Sequence, residues 1–297
     1  MKYRNLGKTG IPISEIGFGC MSLGKNSDTQ SIRLVHQAID AGINYFDTAD
    51  IYDAGDNEKL IGKAIKEHRN KIVLATKVGN KIKPGGGTGF DWDPSKKHIL
   101  KAIDESLKRL QTDYINLYQL HGGTIDDPID ETIEAFEILK QQGKILHYGI
   151  SSIRPNVIRE YVKRSNIESV MMQYSLLDRR PEEAMLSLLE EHKISMMARG
   201  ALAQGLLIDK PPKEYVQQST AGVKNMKELL ILLSGTKEKS ADAAIYFVLQ
   251  NTAVTSAIIG FRAGEQLKEV LNSSFSLSKE ALQTLLKLPA KKYLEHR

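Results

Sequence analysis

Asp47, Tyr52, Lys77 and His121 are the residues whose types and positions could together do chemistry. The apolar run Asn44–Asp47 ends in Asp47, with Tyr52 five residues on. Ile72–Lys77 ends in Lys77, and Tyr114–Leu120 is followed by His121. Three further runs end in polar side chains, at Ser151-Ser152, Gln173 and Arg199. A lysine inside an apolar run needs a carboxylate partner if it is buried, and Asp47 is a candidate. A phenol is a poor acid at neutral pH but donates its proton more readily beside an ammonium that a carboxylate holds. A neutral imidazole alongside can orient a carbonyl oxygen. Such a set protonates a carbonyl while hydride arrives from elsewhere. No side chain supplies hydride, so a nicotinamide or flavin is required.

Each residue also has a plainer reading. Lys77 can snorkel to a rim, Asp47 can cap a turn, and His121 and Tyr52 can simply pack. Their joint placement at successive run ends separates the two readings. None of the 7 histidines pairs with another at metal-ligand spacing, so no metal site is expected.

The elements that must position these residues alternate along the chain. Eight short apolar runs, Ile16–Gly19, Asn44–Asp47, Ile72–Lys77, Tyr114–Leu120, Ile145–Ser151, Val170–Gln173, Ser195–Arg199 and Val254–Ile259, read as strands buried on both faces. Between them, amphipathic segments at Thr29–Ala41, Glu58–His68, Pro94–Leu110, Asp130–Gln142, Asn156–Arg164, Pro181–Glu191 and Gly264–Asn272 read as helices. The economical fold is an α/β (β/α)8 TIM barrel, whose functional residues gather at the C-terminal ends of the strands. A doubly wound open sheet would show a third glycine after its first strand, which Gly17-Phe18-Gly19-Cys20-Met21-Ser22 lacks.

Lys2–Asn5 and Ile13–Glu15 read as a hairpin ahead of the barrel, and Ser278–Leu288 as an extra terminal helix capped by Ser278. Gln204–Lys239 is too long for a simple connection and carries a helix around Val223–Leu233, so it reads as a mobile, lid-like excursion. Asn80–Asp93 reads as a long loop rich in glycine (Gly85, Gly86, Gly87, Gly89). The 297 residues are thus expected to form one domain, 1–297.

Composition narrows the function. The chain carries 41 Lys+Arg against 36 Asp+Glu, net +5. The surplus lies wholly after Ile150 and is scattered, with no basic stripe or arm of the kind that binds nucleic acid. No run of 18 apolar residues spans a membrane, and no apolar segment follows the basic start as in a signal peptide. A single cysteine, Cys20, excludes an intrachain disulfide framework, and the cytoplasm is the expected address.

Longer motifs carry a resemblance. Gly42-Ile43-Asn44-Tyr45-Phe46-Asp47-Thr48-Ala49-Asp50-Ile51-Tyr52, with Glu58 trailing, resembles the first signature of the aldo-keto reductases, an oxidoreductase superfamily. The stretch from Ser106 to His121 resembles the second. The likeness runs from Tyr3 to about Asn272 and is greatest to the bacterial branch related to potassium-channel β-subunits and general stress reductases.

It implies a catalytic tetrad of Asp47, Tyr52, Lys77 and His121, with Tyr52 as general acid, and NADPH/NADP+ lying across the barrel mouth. Ser151, Ser152 and Gln173 match positions that bind the nicotinamide carboxamide, Ser152 standing where asparagine is usual. Arg199 replaces an aromatic common at this strand end; its face could stack on the nicotinamide or its charge approach the pyrophosphate. Gly200, Leu202, Gln204 and Gly205 resemble a pyrophosphate-covering loop. Gly260, Arg262 and Gln266 resemble the segment that grips the adenosine end, with Arg262 reading the 2′-phosphate and the helix start at Gly264 adding N–H groups. Val270 stands where asparagine is frequent.

The implied function is NADPH-dependent reduction of small aldehydes or ketones to alcohols. Met21, Tyr52, Phe90 and Trp92 are candidates for the substrate pocket, Trp92 equally for packing. Two other classes remain open: a cofactor-binding redox sensor with slow chemistry, as in the channel β-subunits, and a Schiff-base aldolase using Lys77. Turnover of small aldehydes separates the first from a reductase. Borohydride trapping on Lys77 would mark the second.

Overall fold

The computed structural model describes residues 1–82, 89–272 and 276–297. A hairpin, β1 (Tyr3–Asn5) with β2 (Pro12–Ser14), leads into β3 (Ile16–Gly19) and α1 (Asp28–Asp40). There follow β4 (Tyr45–Asp47), α2 (Asp56–Ile65), β5 (Val73–Val78), a short pair β6 (Asn80–Ile82) and β7 (Phe90–Trp92), and α3 (Lys96–Leu110). Next come β8 (Ile115–Leu120), α4 (Ile129–Gln141), β9 (Ile145–Ser151), α5 (Pro155–Arg164), β10 (Ser169–Gln173) and α6 (Met185–Glu191). The chain ends with β11 (Ser195–Arg199), α7 (Thr220–Ser234), α8 (Ser240–Leu249), β12 (Val254–Ile259), α9 (Gly264–Leu271) and α10 (Lys279–Leu286).

Eight parallel strands close in the order β3-β4-β5-β8-β9-β10-β11-β12, and β12 pairs back on β3 through Ala257 with Ile16. This is the expected (β/α)8 barrel, and the eight apolar runs fall on its eight strands within one residue at either end. Serines start several helices because their side chains accept from a free first-turn N–H. Ser27, Ser95, Ser219 and Ser278 cap α1, α3, α7 and α10 in this way.

The two-residue period of a strand explains where the polar residues go. Tyr45, Val73, Ala75, Leu117, Met171, Met197 and Ile258 face the barrel interior as one apolar cluster. Leu6 and Ile13 of the hairpin join that cluster and plug one end. Two residues further along their strands, the same inward parity reaches Asp47, Lys77, Gln119, Gln173 and Arg199. The alternate residues Leu74, Tyr118 and Tyr148 face outward into the second, larger core beneath the helices.

Four features depart from the sequence reading, one being that the Pro181–Glu191 helix begins only at Met185, after a 3-10 turn over Arg180–Glu183. The segment read as a loop from Asn80 to Asp93 begins and ends in paired strands, Asn80 opposite Trp92 and Ile82 opposite Phe90; Gly85, Gly86 and Gly87 lie outside the described residues. Strand β11 is followed by two helices, α7 and α8. The second of these, absent from the sequence reading, is the crossover to β12. Its Ala243, Ala244, Ile245, Phe247, Val248 and Leu249 are all buried, so it shows no polar face to betray its period. The Glu58–His68 helix ends earlier, at Ile65, and continues as 3-10 turns.

Candidate active site

At the mouth, Lys77 is 1 % exposed and Asp47 4 %. The Lys77 Nζ donates to Asp47 Oδ1 at 2.5 Å and to the Thr48 carbonyl at 2.7 Å, and lies 3.4 Å from the Tyr52 hydroxyl. Gln119 Nε2 donates to the second Asp47 oxygen at 3.1 Å. The His121 ring stands edge-on to Tyr52, with centroids 5.9 Å apart and planes at 82°. The fold thus brings together all four residues singled out from run ends. Tyr52 reaches the group from a 3-10 turn whose next two residues, Asp53 and Ala54, have φ of 49° and 53°. Left-handed backbone at two successive non-glycine residues is costly and is characteristic of constrained sites.

The charges are set by burial and by one another. Burial disfavours the Lys77 ammonium, but the adjoining Asp47 and Tyr52 outweigh it and hold its pKa above the ordinary value, so the amine stays protonated. Burial, with Lys77 and Arg199 adding their positive charges, pushes His121 down to about 3. The imidazole is therefore neutral at physiological pH, and its Nδ1 has no partner among the described residues.

A second ionic layer lies outside the barrel wall. Thr76 points away from the interior and donates to Glu58 Oε1 of α2 at 2.6 Å, while Arg109 Nε of α3 donates to Glu58 Oε2 at 2.6 Å. Glu58 is fully buried. Asp50, also buried, has an Oδ1 without a partner among the described residues. Burial, then the neighbouring Glu58 charge, raises Asp50 to about 8. The sequence reading marked Glu58 only as a trailing acid and missed Asp50 and Arg109 as its companions. Both lie inside the quoted motifs, but their spacing does not reveal that they meet.

Trp92 packs in a particular way. Its Cζ3–Cη2 edge covers Gly79 and Gly122, which follow Lys77 and His121 by two residues and one. A Cβ on Gly79 would come within 2.8 Å of the ring, and one on Gly122 within 3.2 Å. Both glycines hold positive φ, 120° and 140°. At its other edge, Trp92 Nε1 donates to Asp127 Oδ1 at 2.9 Å. Phe90 and Met21 are exposed.

The residues matched to a cofactor lie along the same mouth. Ser151 and Gln173 end adjacent strands, and buried Ser152 accepts from Arg154 N at 3.2 Å. Gln173 and Arg199 are opposite in register, and Arg199 Nη1 donates to Gln173 Oε1 at 3.3 Å. Gly200, Leu202, Gln204 and Gly205 form successive tight turns, with Ala203 N bonded to Gly200 O and Gly205 N to Leu202 O, each at 2.8 Å. Gln204 is exposed and has φ 59°. On the β12–α9 connection, Arg262 is exposed; Gln266 Oε1 accepts from Arg262 N at 2.9 Å. Gly260 faces Ser22, whose Oγ a Cβ would meet at 2.9 Å. The sequence reading missed Tyr215, which comes from the excursion to accept from Gln173 Nε2 at 3.0 Å.

Known proteins share this architecture. The chain is 50 % identical over 295 residues to "Uncharacterized oxidoreductase YqkF" of Bacillus subtilis (strain 168), covering 96 % of this chain and 95 % of that protein. It superposes on the holo form of aldo-keto reductase AKR11C1 from Bacillus halodurans with TM-score 0.92 and 48 % identity, covering 100 % of this chain and 99 % of that one. The NADH-specific methylglyoxal reductase of Escherichia coli (strain K12) is 29 % identical over 303 residues, covering 91 % of this chain and 92 % of that protein. The family model "Aldo/keto reductase family" matches residues 15–289, and the chain belongs to that family of oxidoreductases.

Proposed function

We propose that this chain is an NADPH-dependent reductase that converts aldehydes or ketones to alcohols, with Tyr52 as proton donor. The observation that carries the reading is the buried chain Asp47–Lys77–Tyr52, with contacts of 2.5 and 3.4 Å, facing a neutral His121. Lys77 cannot serve as a free amine nucleophile while Asp47 holds it charged, which favours proton transfer over Schiff-base chemistry.

The mouth fits a nicotinamide dinucleotide. His121 Nδ1 is an orphaned buried polar atom at that mouth. Helix α9 begins without a side-chain cap at Ala263, leaving first-turn N–H groups for an anion. Ser151, Ser152 and Gln173 would hold the carboxamide, Arg199 and the Gly200–Gly205 turns the middle, and Arg262 with Gln266 the adenosine end. When bound, NADPH supplies the hydride.

The protein's own part is positional and protonic. His121 is a neutral hydrogen-bonding group and orients the carbonyl oxygen toward Tyr52. The Tyr52 hydroxyl gives its proton to that oxygen as negative charge develops on it. The phenolate left behind sits beside the Lys77 ammonium, which Asp47 and the Thr48 carbonyl keep in place. Preorganised charges of this kind stabilise the transition state without reorganising.

Tyr52→Phe should keep NADPH affinity and lose most turnover of a small aldehyde. Turnover equal to the unaltered chain would sink the mechanism. The choice of NADPH rests on Arg262. The Escherichia coli relative is named NADH-specific, so calorimetry with both dinucleotides is the direct test, and Arg262→Ala should erase a preference for NADPH. The buried thiol of Cys20 suits a reducing cytoplasm.

A further inference from the structure

The side-chain amide of Gln173 is engaged at both ends. Its Oε1 accepts from Arg199 Nη1 and its Nε2 donates to the Tyr215 hydroxyl. A guanidinium only donates, so the amide oxygen must be the atom facing Arg199. This settles an orientation that is otherwise ambiguous for glutamine. An amide has two hydrogens and an oxygen with two lone pairs. Each end of Gln173 therefore keeps one unused valence, a donor on Nε2 and an acceptor on Oε1.

Tyr215 is placed with care for a residue in a long excursion. It is buried, and two backbone bonds with Gln218, at 3.1 and 2.9 Å, close it into a tight turn. Gln217 Nε2 ties that turn to the Lys292 carbonyl near the end of the chain at 3.0 Å. Burial, then the charge of Asp178, raises the Tyr215 phenol to about 12, so it stays a neutral hydroxyl.

We propose that Tyr215, acting with Arg199, fixes the polarity of the Gln173 amide so that its free edge reads the carboxamide of a bound nicotinamide. Tyr215 is thus a positioning residue for the cofactor, delivered by the excursion between β11 and α7. The proposal rests on the nicotinamide reading above. A carboxamide is matched because it offers its own oxygen to Nε2 and its own N–H to Oε1. A reversed amide would set its N–H groups against the guanidinium and present the wrong edge.

The test uses the full chain and three probes, by calorimetry: NADP+, its 3-acetylpyridine analogue, and 2′-phospho-ADP-ribose. The analogue replaces the carboxamide by a methyl ketone, which cannot donate to Oε1. The unaltered chain should prefer NADP+ to the analogue by about three- to tenfold, the scale of one hydrogen bond. Tyr215→Phe should weaken NADP+ by about the same factor, shrink that preference, and leave 2′-phospho-ADP-ribose unchanged. Arg199→Met should shrink the preference too, and serves if the first variant folds poorly. A preference unaltered in both variants, or equal weakening of all three probes by Tyr215→Phe, overturns the proposal. No NADP+ binding by the unaltered chain would instead remove the cofactor reading, and this proposal with it.

Discussion

The indole nitrogen of Trp92 donates to Oδ1 of Asp127 at 2.9 Å, and that bond sets where the ring lies over the ends of β5 and β8. Asp127 is itself held by the N–H and hydroxyl of Thr124. Gly79 and Gly122, under the opposite edge of the ring, follow Lys77 and His121.

Loosening Trp92 should therefore disturb the relative placement of Lys77 and His121. Trp92→Ala is expected to cost about 2 kcal/mol, below the ~3–5 typical of a fully buried aromatic because the ring is half exposed. It should also lower kcat about tenfold or more. Asp127→Ala keeps the ring but frees it, and should shift the emission of this sole tryptophan to longer wavelength. Unchanged kcat in both variants would reduce Trp92 to a structural plug. Gly79→Ala, with φ at 120° and the ring 2.8 Å from the new Cβ, should also destabilise the chain.

The neutral His121 has a pH signature. Its folded value of about 3 lies below the ordinary 6.5. The unfolded chain thus takes up a proton that the folded chain refuses. The associated stability is present above 6.5 and is lost as pH falls from there toward 3. Rate profiles of kcat/KM should show no acid limb from this residue between pH 5 and 8. An acid limb near pH 6.5 that disappears in His121→Gln would contradict the neutral assignment.

Asp50 shows the opposite linkage. Its folded value of about 8 exceeds the ordinary 3.8. Its favourable contribution is complete below 3.8 and is lost as pH rises through about 8. Asp50→Asn should flatten the decline in stability between pH 5 and 8 in urea titrations. Parallel curves for the variant and the unaltered chain would show that Asp50 is already ionised.

Arg109→Met strands the fully buried Glu58 without its 2.6 Å partner. Breaking such a pair from one side costs roughly 3–5 kcal/mol, and removing both charges costs much less. The partial exposure of Arg109 places the expected loss at the lower end, about 3 kcal/mol. Denaturant unfolding of Arg109→Met beside Glu58→Met/Arg109→Met measures the difference. Equal losses would show that the pair is not coupled.

The barrel was legible because its strands are buried on both faces, which leaves unbroken apolar runs such as Ile145–Ser151 and Val254–Ile259. Asp47, Lys77 and His121 were legible for the same reason, as polar groups at or just past the end of such a run, while Tyr52 stood out only by its place five residues after Asp47. Helix α8 was hidden because it is apolar nearly all round, its partly exposed positions including Ala241 and Tyr246, which erases the amphipathic period that marks α3 or α5. The strands β6 and β7 were hidden by their shortness. Tyr215 could not be found from spacing, since it follows β11 in a stretch outside any regular element and its partner Gln173 lies 42 residues away. Arg109 and Glu58, 51 residues apart, meet only because α2 and α3 pack side by side.

The guanidinium of Arg4 donates to the carbonyls of Val254 and Leu249, across 250 and 245 residues of sequence, close to where β12 joins β3. On the ribosome, the first strand of the cylinder is made long before the last. Until β12 emerges, β3 has an open edge on one side and Arg4 lacks these carbonyls. The nascent chain must carry that unpaired edge, a template for aggregation, through most of its synthesis. Closure of the cylinder is a late, long-range event, so the slow step of folding is expected at its seam and not within any single strand-helix unit.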